Sequence, residues 1–254
     1  MIRIVILGTG NVAKHLFDAF IAQNTIEIVQ VYGRNRRALD KFKARIDVTS
    51  DFSKIKEADV YIMAISDDAI VDVSKKLPLQ KGLVVHTSGS IPMTSLSNNT
   101  RRGAFYPLQT FSANRKVVFK EVPMCIEAEN RVDYDLLHEL ASNISNAVIQ
   151  IDSDQRKSLH LAAVFANNFS NHMYLKAQEV CEQNSIPFDI LRPLIKETAA
   201  KIQDLPPLDA QTGPAKRNNL GTIEKHLAQL ENENQKKIYS LLSKSIQNTY
   251  GKKL

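Results

Sequence analysis

A glycine motif directly behind the first apolar run restricts the fold of this chain more than any other feature. Residues 8–13 read Gly-Thr-Gly-Asn-Val-Ala, which fits the pattern G-x-G-x-x-A. The motif follows a strand candidate, Ile2–Leu7, and opens an amphipathic segment, as it does at the strand-to-helix turns that bind dinucleotides. In such turns the first glycine permits the tight bend, the second lets the backbone approach a pyrophosphate, and the last small residue allows the helix to pack on the strand. We therefore predict cofactor contacts, helped by the amides and dipole of the helix start, at Gly8, Thr9, Gly10, Asn11 and Val12.

The end of the second predicted strand bears on the choice between NAD and NADP. NAD-specific proteins carry an acid near the carboxyl end of this strand, whereas Glu27 stands at its start, on the side away from the cofactor. We expect Gly33 to leave room for a 2′-phosphate and the basic residues behind it to bind that group. A solvated basic helix start is the alternative, although it is unfavourable at the positive end of a helix dipole. The pattern favours NADP and predicts further cofactor contacts at Arg34, Asn35 and Arg37, with Arg36 as an alternative to Arg37.

Short β-branched runs alternate with amphipathic segments through the first half of the chain, which is typical of a parallel sheet. The predicted strands are Ile2–Leu7, Ile26–Tyr32, Val60–Ala64, Leu83–His86, Ala104–Tyr106, Met124–Glu127 and Ala147–Ile151. Helices that cover both faces are predicted at Val12–Gln23, Arg36–Lys43, Asp68–Lys76 and Asp133–Asn143. Only helical patterns follow, at Ser153–Gln183, Pro187–Gln203, Ile223–Leu230 and Asn234–Tyr250. The prediction is an α/β fold, a Rossmann-type mostly parallel sheet in a dinucleotide-binding domain (1–151), followed by an all-α substrate and dimerisation domain (152–254).

Composition excludes several classes of protein. Hydrophobic residues make up 43% of the chain and charged residues 24%, the profile of an ordinary soluble globular protein. No apolar run approaches the roughly 20 residues of a membrane span, and the short N-terminal run lacks a cleavage site, so we expect a cytoplasmic protein without a membrane partner. The net charge of +6 is spread along the chain, which argues against nucleic acid. Cys125 and Cys181 lack metal-ligand spacing, so we predict passive thiols and no metal.

Ligands of open α/β sheets bind outside the carboxyl ends of the strands, so the loops there are candidates for binding. Ala64 and Ser66 follow one strand, and we predict that they contact the cofactor, with helix capping as an equal alternative for the residues behind them. Thr87, Ser88 and Gly89 follow the next strand and predict a substrate contact; a hydroxyl-rich turn is the alternative. The stiff segment 106–111, Tyr-Pro-Leu-Gln-Thr-Phe, is a candidate wall of the nicotinamide site.

Two later segments complete a pattern that spans nearly the whole chain. They are residues 160–168, His-Leu-Ala-Ala-Val-Phe-Ala-Asn-Asn, and residues 212–217, Thr-Gly-Pro-Ala-Lys-Arg. With the glycine motif, the strand end at 32–35 and Ser88-Gly89, they resemble the pyrroline-5-carboxylate reductase and β-hydroxyacid dehydrogenase superfamily. The chain is more closely similar to small Rossmann-like oxidoreductases of unassigned function with a helical C-terminal domain. The resemblance implies a dinucleotide domain, a helical domain that often builds a homodimer by helix exchange, and a substrate cleft between the two.

The chain departs from the hydroxyacid dehydrogenases at their catalytic lysine. Those enzymes carry Ala-Lys-x-x-Asn-Asn on a helix, and the resemblance puts Val164, which cannot transfer a proton, at the lysine position. His160, Asn167 and Asn171 share one face of an α-helix with Val164, at i, i+4, i+7 and i+11. Polar groups on such a stripe need one another, water or a ligand. We predict that His160 donates a proton while the two amides orient the substrate; a polar dimer or interdomain contact is the alternative.

The turn at 212–218 is the second candidate of the helical half. Its Thr212, with Lys216 or Arg217, is predicted to close over an anionic substrate or a partner subunit's cofactor; solvated charge is the alternative. The sequence as a whole predicts an NADP-dependent oxidoreductase that moves a hydride between nicotinamide and a small carbonyl, hydroxy or imino substrate in the interdomain cleft. The alternative is a non-catalytic dinucleotide-binding or regulatory protein, since fold alone does not establish turnover.

Overall fold

The computed structural model describes residues 1–78 and 81–251. The chain divides into two compact units, Met1–Asn167 and Asn168–Leu254. The second unit therefore begins inside the long helical segment that was predicted to start at Ser153, and the domain boundary after residue 151 stays a prediction. In the described part of the chain, no helix combines the length and the apolar character that a membrane span requires.

The first unit is built on a single sheet of eight strands, counted over the described residues. The strands are β1 (Ile2–Leu7), β2 (Ile26–Tyr32), β3 (Val48–Thr49), β4 (Val60–Met63), β5 (Leu83–His86), β6 (Arg101–Pro107), β7 (Met124–Ala128) and β8 (Val148–Gln150). Their spatial order is β3-β2-β1-β4-β5-β6-β7-β8. All neighbouring pairs are parallel except β6 and β7. The predicted fold class, a Rossmann-type mostly parallel sheet, is confirmed.

The central strands are apolar on both faces because helices cover both. Ile4 and Ile6 of β1 belong to one core, with Leu16 and Phe17 of helix α1 (Asn11–Phe20). Val5 and Leu7 belong to the other core, where Ile70 of helix α3 (Asp67–Lys76) packs. Helices α2 (Arg36–Lys43) and α4 (Arg131–Ile144) complete the cover on the side of α1. Burial on both faces explains why these strands read as continuous apolar runs instead of alternating ones.

Two features of the sheet were missed in the sequence. Strand β3 has two half-buried residues and pairs only with the end of β2, so it is too short to give a periodic signal. Strand β6 begins at Arg101, three residues before the predicted start. Its first residues are Arg-Arg-Gly, and a β-carbon at Gly103 would stand 2.6 Å from the Glu127 carbonyl oxygen on β7. The glycine thus allows close strand pairing where its residue type argues against a strand.

The helical half begins with α5 (Ser153–Ala163), capped by Asp152, whose side chain accepts from the Gln155 amide while the Gln155 side chain accepts from the Asp152 amide. A π-helical segment, Val164–Phe169, leads into α6 (Ser170–Gln183). The remaining helices are α7 (Arg192–Asp204), α8 (Pro207–Ala210), α9 (Leu220–Gln229) and α10 (Glu233–Tyr250). A 3-10 turn, Phe188–Leu191, occupies the first residues of the helix that was predicted to begin at Pro187.

Candidate functional site

The backbone of the glycine-rich turn adopts a conformation that requires glycine. Gly8 has φ +132, and a β-carbon there would stand 2.0 Å from the Ala64 carbonyl oxygen of the neighbouring strand end. At Gly10 an added β-carbon would meet nothing within 4 Å. Gly8 is therefore required by the protein's own packing, whereas the missing side chain at Gly10 leaves the helix start open to a ligand.

Helix α1 begins at this turn without any side chain that satisfies its first amides. Gly10 is the N-cap, no side chain caps the helix, and its first turn contains no acidic residue. The first amides of a helix lack intrahelical partners and carry the positive end of the helix dipole. A phosphate group supplies both the acceptors and the negative charge that this helix start lacks, so the turn fits the pyrophosphate of a dinucleotide.

A cavity of about 530 Å³ lies against the turn at the carboxyl ends of the strands. It is lined by Gly8, Thr9, Gly10, Asn11, Val12, Tyr32, Gly33, Arg34, Asn35, Ala64, Ile65, Ser66, Ala69, Val73, Thr87 and Phe111. This set contains every predicted cofactor residue except Arg37, together with Thr87 from the predicted substrate loop. Ala69 and Val73 were missed, although they follow Ile65 at intervals of four residues and so continue its face onto α3.

The second strand ends at the cavity, where Gly33 and Arg34 lie among the lining residues as the predicted NADP site requires. Arg34 lines the cavity and is exposed, while Glu27 lies at the far end of the strand with its carboxylate 3.5 Å from Arg3 Nε. Gly33 lines the cavity, and a β-carbon there would stand 2.5 Å from Thr9 Cγ2, so packing against the glycine-rich turn is a further reason for glycine at this position. The room that Gly33 leaves for a 2′-phosphate stays a prediction.

Asn35 and Arg37 differ in their position relative to the cavity. The Asn35 side chain accepts from the amides of Arg37 and Ala38, at 3.0 and 3.3 Å, and so caps helix α2 while also bordering the cavity. Arg37 is exposed on α2 and does not line the cavity. Its predicted cofactor contact stays a prediction.

The segment at 111–113, which brings Phe111 to the cavity, is held by hydrogen bonds to α1. The Asn11 side chain donates to the Phe111 carbonyl at 3.0 Å, and Lys14 Nζ donates to the Ala113 carbonyl at 3.2 Å. His15 Nε2 lies 3.0 Å from the Ser112 carbonyl oxygen. The segment predicted as a wall therefore contributes its last residue, Phe111, to the cavity.

Tyr106 and His160 form a hydrogen-bonded pair at the same edge of the sheet. The Tyr106 hydroxyl lies 3.1 Å from His160 Nδ1, and the two rings meet edge to face with centroids 6.1 Å apart. Burial is the main reason that the pKa of Tyr106 is raised above its usual value. Because β6 runs parallel to β5, this tyrosine stands at the strand end beside the Thr87-Ser88-Gly89 loop.

That loop is fixed by a buried arginine that was not singled out in the sequence. Arg156 on α5 is fully buried, donates from Nε to the Ser88 carbonyl at 3.2 Å and from Nη2 to the Ile91 carbonyl at 2.7 Å, and forms an ion pair with Glu127. The Ser88 hydroxyl accepts from the amides of Ser90 and Ile91. The side chains of Arg156 and Ser88 therefore hold the loop, whereas Thr87 lines the cavity. An arginine directly after the capping box of Asp152 and Gln155 was the available signal.

His86, at the end of β5, is buried and neutral. Burial, followed by the nearby charge of Arg156, lowers its pKa from 6.5 to about 4. Its Nδ1 lies 3.2 Å from the Ser88 amide, which donates to it. His86 therefore supports the loop as a neutral acceptor.

The remaining predicted site residues occupy exposed or already bonded positions. Asn167 and Asn171 are exposed, and the π-helical segment interrupts the 3.6-residue spacing on which their alignment with His160 depends. In the second unit, Lys216 donates to the Gln211 carbonyl at 2.8 Å and lies over the Tyr250 ring, 5.0 Å from its centroid. The substrate contacts of these three residues stay predictions.

Both cysteines are buried free thiols, and burial raises the pKa of Cys125. Over the residues that the structure describes, no group of three or more His, Cys, Asp or Glu side chains is arranged to hold a metal ion.

Comparison with known proteins assigns both parts of the chain to families. A family described as "NADP oxidoreductase coenzyme F420-dependent" matches residues 3–88, and one described as "Domain of unknown function (DUF2520)" matches residues 122–246. The chain is 41% identical to a "putative NADP oxidoreductase" from Bacteroides fragilis, with a TM-score of 0.89 over 97% of this chain and 98% of that one. No curated protein matches the chain.

More distant structures share the fold. A reductive aminase from Aspergillus terreus, in complex with NADPH and ethyl levulinate, is 15% identical with a TM-score of 0.72, over 99% of this chain and 95% of that one. A 1-pyrroline-5-carboxylate reductase from Streptococcus pyogenes is 15% identical with a TM-score of 0.68, over 99% and 97%. The open glycine-rich turn, its cavity and the similarity to the Bacteroides protein agree, and the chain belongs to the NADP oxidoreductase family, with a Rossmann-like nucleotide-binding domain and a helical C-terminal domain of unknown function.

Proposed function

We propose that the protein is an NADP-dependent oxidoreductase that transfers a hydride between nicotinamide and a small carbonyl, hydroxy or imino compound. The observation that carries the proposal is the meeting of two features at one sheet edge. The cavity of the glycine-rich turn lies there, and so does the hydrogen-bonded pair Tyr106 and His160. The first feature is what a dinucleotide needs, and the second is an arrangement that can exchange a proton with a reacting group.

The preference for NADP over NAD rests on charge at the end of β2. Arg34 borders the cavity, and no Asp or Glu is among the described residues that line it. A guanidinium matches a 2′-phosphate with paired, charge-assisted hydrogen bonds, whereas a ribose hydroxyl gains most from a carboxylate. The bound nicotinamide supplies the hydride, and the protein orients the reactants and supplies the proton.

His160 is the proposed proton donor. It lies beside Gly89, so the Thr87-Ser88-Gly89 loop and the imidazole border the same space. Asn167, Asn171 and Lys216 stay proposed substrate contacts from the sequence alone, and the π-helical segment breaks the α-helical spacing that aligned the two asparagines with His160. The distant structures named above are described as a reductive aminase, in complex with NADPH and ethyl levulinate, and as a 1-pyrroline-5-carboxylate reductase, which supports testing imines and carbonyl compounds on this chain.

Titration with both cofactors, followed by a substrate panel, tests the proposal. The intact protein is titrated with NADPH and with NADH, and 2-oxoacids, aldehydes and cyclic imines are then assayed for NADPH oxidation. We expect tighter binding of NADPH and turnover of at least one class. Tight binding of NADPH without turnover across the panel would favour a non-catalytic dinucleotide-binding or regulatory protein. Tighter binding of NADH would contradict the role of Arg34.

A homodimer through the helical domain is part of the proposal. Among the described residues of the second unit, the buried apolar side chains are few: Cys181, Ala215 and Ile223. Large apolar side chains are exposed on the same unit, including Ile190 at 65%, Leu194 at 62% and Leu241 at 70%. Extensive apolar exposure of this kind marks a surface for association, and a second copy of the chain is the proposed partner.

A further inference from the structure

The environment of His160 differs between its two ring nitrogens. On the Nδ1 side, the Tyr106 hydroxyl lies at 3.1 Å, and a β-carbon at Gly89 would stand 2.6 to 2.7 Å from His160 Cγ, Cβ and Nδ1. The loop backbone therefore covers this side of the ring. His160 is nevertheless half-buried, not buried, whereas Tyr106 is only 9% exposed. The tyrosine holds one nitrogen and leaves Nε2 for other partners.

We propose that Tyr106 is a positioning residue for proton transfer at His160, so that Nδ1 stays bound to the tyrosine hydroxyl while Nε2 exchanges a proton with the substrate. This inference rests on the proposed function and deepens it, because it names the atom that exchanges the proton and the group that orients it. The Tyr106 hydroxyl can orient the imidazole in this way because its oxygen accepts a hydrogen bond from the Nδ1 proton.

The protonation state of Tyr106 suits this role. Burial holds its pKa above the usual value, with smaller contributions from Cys125 on β7 and Asp67 at the start of α3, which raise it, and from Arg156 on α5, which lowers it. The hydroxyl is therefore neutral throughout the physiological range. It accepts a hydrogen bond from the Nδ1 proton both in the charged imidazole and in the neutral ring that remains after Nε2 has given up its proton. The ring keeps one orientation through the proton transfer.

The chemistry balances without further reactants. Reduction of a carbonyl compound adds a hydride at carbon and a proton at oxygen, so the π bond is lost and one C–H and one O–H bond form. The reduced nicotinamide of the proposed function would supply the hydride, with loss of one of its C–H bonds and two-electron oxidation of its ring. The proton comes from Nε2 of the charged imidazole, whose N–H bond breaks, and the ring becomes neutral with its remaining proton on Nδ1, donated to Tyr106. Solvent recharges the ring after product leaves. Oxidation of an alcohol follows the same steps in reverse.

Nitrogen NMR of the histidine rings tests the pairing without any need for activity. Protein labelled with ¹⁵N at histidine is compared with Tyr106→Phe, which removes only the hydroxyl, and with Tyr134→Phe, a matched control on α4. We expect the Nδ1 resonance of His160 to carry the shift of a hydrogen-bonded nitrogen in the parent and in Tyr134→Phe, and to lose it in Tyr106→Phe. An unchanged Nδ1 resonance in Tyr106→Phe would overturn the inference.

Kinetics on the substrate found in the panel test the consequence. In Tyr106→Phe we expect kcat to fall about tenfold, a part of the roughly 10² to 10⁴ that a general acid contributes, with KM and the Kd of NADPH unchanged. The pH profile of kcat should also change shape, which a merely structural defect would not produce. A rise in KM or Kd with kcat and its pH profile intact would overturn the inference. Failure of the proposed function is distinct, since it shows as absence of turnover in the parent protein.

Discussion

Gly89 lies against His160 so closely that a β-carbon at position 89 would stand 2.6 Å from Cγ of the imidazole. The nearest atoms include Cβ of the histidine, which is not the movable end of a side chain. Glycine is thus needed for contact with a neighbour on another element and not for its own backbone angles. The loop and the proposed proton donor are fitted to each other, so a change at one displaces the other.

Gly89→Ala is expected to displace His160 while leaving the cofactor site intact. We expect kcat to fall about tenfold to a hundredfold, since a misplacement of about 1 Å costs up to that much, and we expect Kd for NADPH to stay unchanged. Steady-state kinetics and a fluorescence titration measure the two quantities. Gly251→Ala is the matched control, because an added β-carbon at Gly251 meets nothing within 4 Å. Full activity of Gly89→Ala would contradict the close contact between the loop at Gly89 and a catalytic His160.

Arg34→Gln is expected to weaken NADPH binding without affecting NADH. Loss of a charge-assisted hydrogen bond costs about 1.5 to 3 kcal/mol, which is about tenfold to a hundredfold in Kd. Lys41→Gln removes the same charge from the last turn of α2, away from the cavity, and is the control for general electrostatics. Isothermal titration with both cofactors measures the effect. An equal loss for NADPH and NADH would show that Arg34 does not bind the 2′-phosphate.

Features that depend on neighbouring residues were predicted from the sequence. Contacts between segments that are distant in the chain were not. Continuous apolar runs placed the central strands, and the motif at Gly8 identified the cavity, because each is a property of neighbouring residues. The contact of Gly33 with Thr9 was not predicted, since it joins two segments that are distant in the chain. The pairing of Tyr106 with His160 spans 54 residues, and nothing in either local sequence indicates it.

The helical half shows the same limit. The run from Ser153 has no glycine or proline, so it predicts a regular helix, and the π-helical segment at Val164–Phe169 leaves no trace in that pattern. A π-helical turn holds more residues than an α-helical one, so side chains counted across it at α-helical spacing fall out of line. The predicted stripe of His160, Asn167 and Asn171 depended on that count.

Arg156→Met is expected to destabilise the protein because it leaves the Glu127 carboxylate without its charged partner. Removal of one member of a buried ion pair costs about 3 to 5 kcal/mol. The double variant Arg156→Met with Glu127→Gln should recover part of this loss, since no buried charge then remains. Denaturation by urea gives the free energy of unfolding for each variant. A loss below about 1 kcal/mol in the single variant would show that the pair does not hold the loop.

His86 is expected to make the protein less stable as the pH falls from 6.5 to 4. The pKa of this group is about 4 in the folded state and 6.5 in the unfolded state. Over that interval the unfolded state binds more protons, so the free energy of unfolding decreases with falling pH, by up to about 3 kcal/mol. His86→Asn keeps an acceptor for the Ser88 amide and does not titrate. Its unfolding free energy should depend less on pH in this window, whereas the exposed control His138→Asn should follow the parent.

Leu241→Glu is expected to weaken the proposed homodimer. Leu241 is 70% exposed on α10, in a unit whose described residues bury few apolar side chains, so association with a second copy would cover it. Burial of a leucine contributes about 1.5 to 3 kcal/mol, and a charge in its place should raise the dimer Kd by about tenfold or more. Val132→Glu is the matched control, because Val132 is 72% exposed on α4 of the first unit. Sedimentation velocity over a concentration series measures the equilibrium. A monomer at all concentrations in the parent protein, or equal weakening by both variants, would contradict dimerisation through the helical domain.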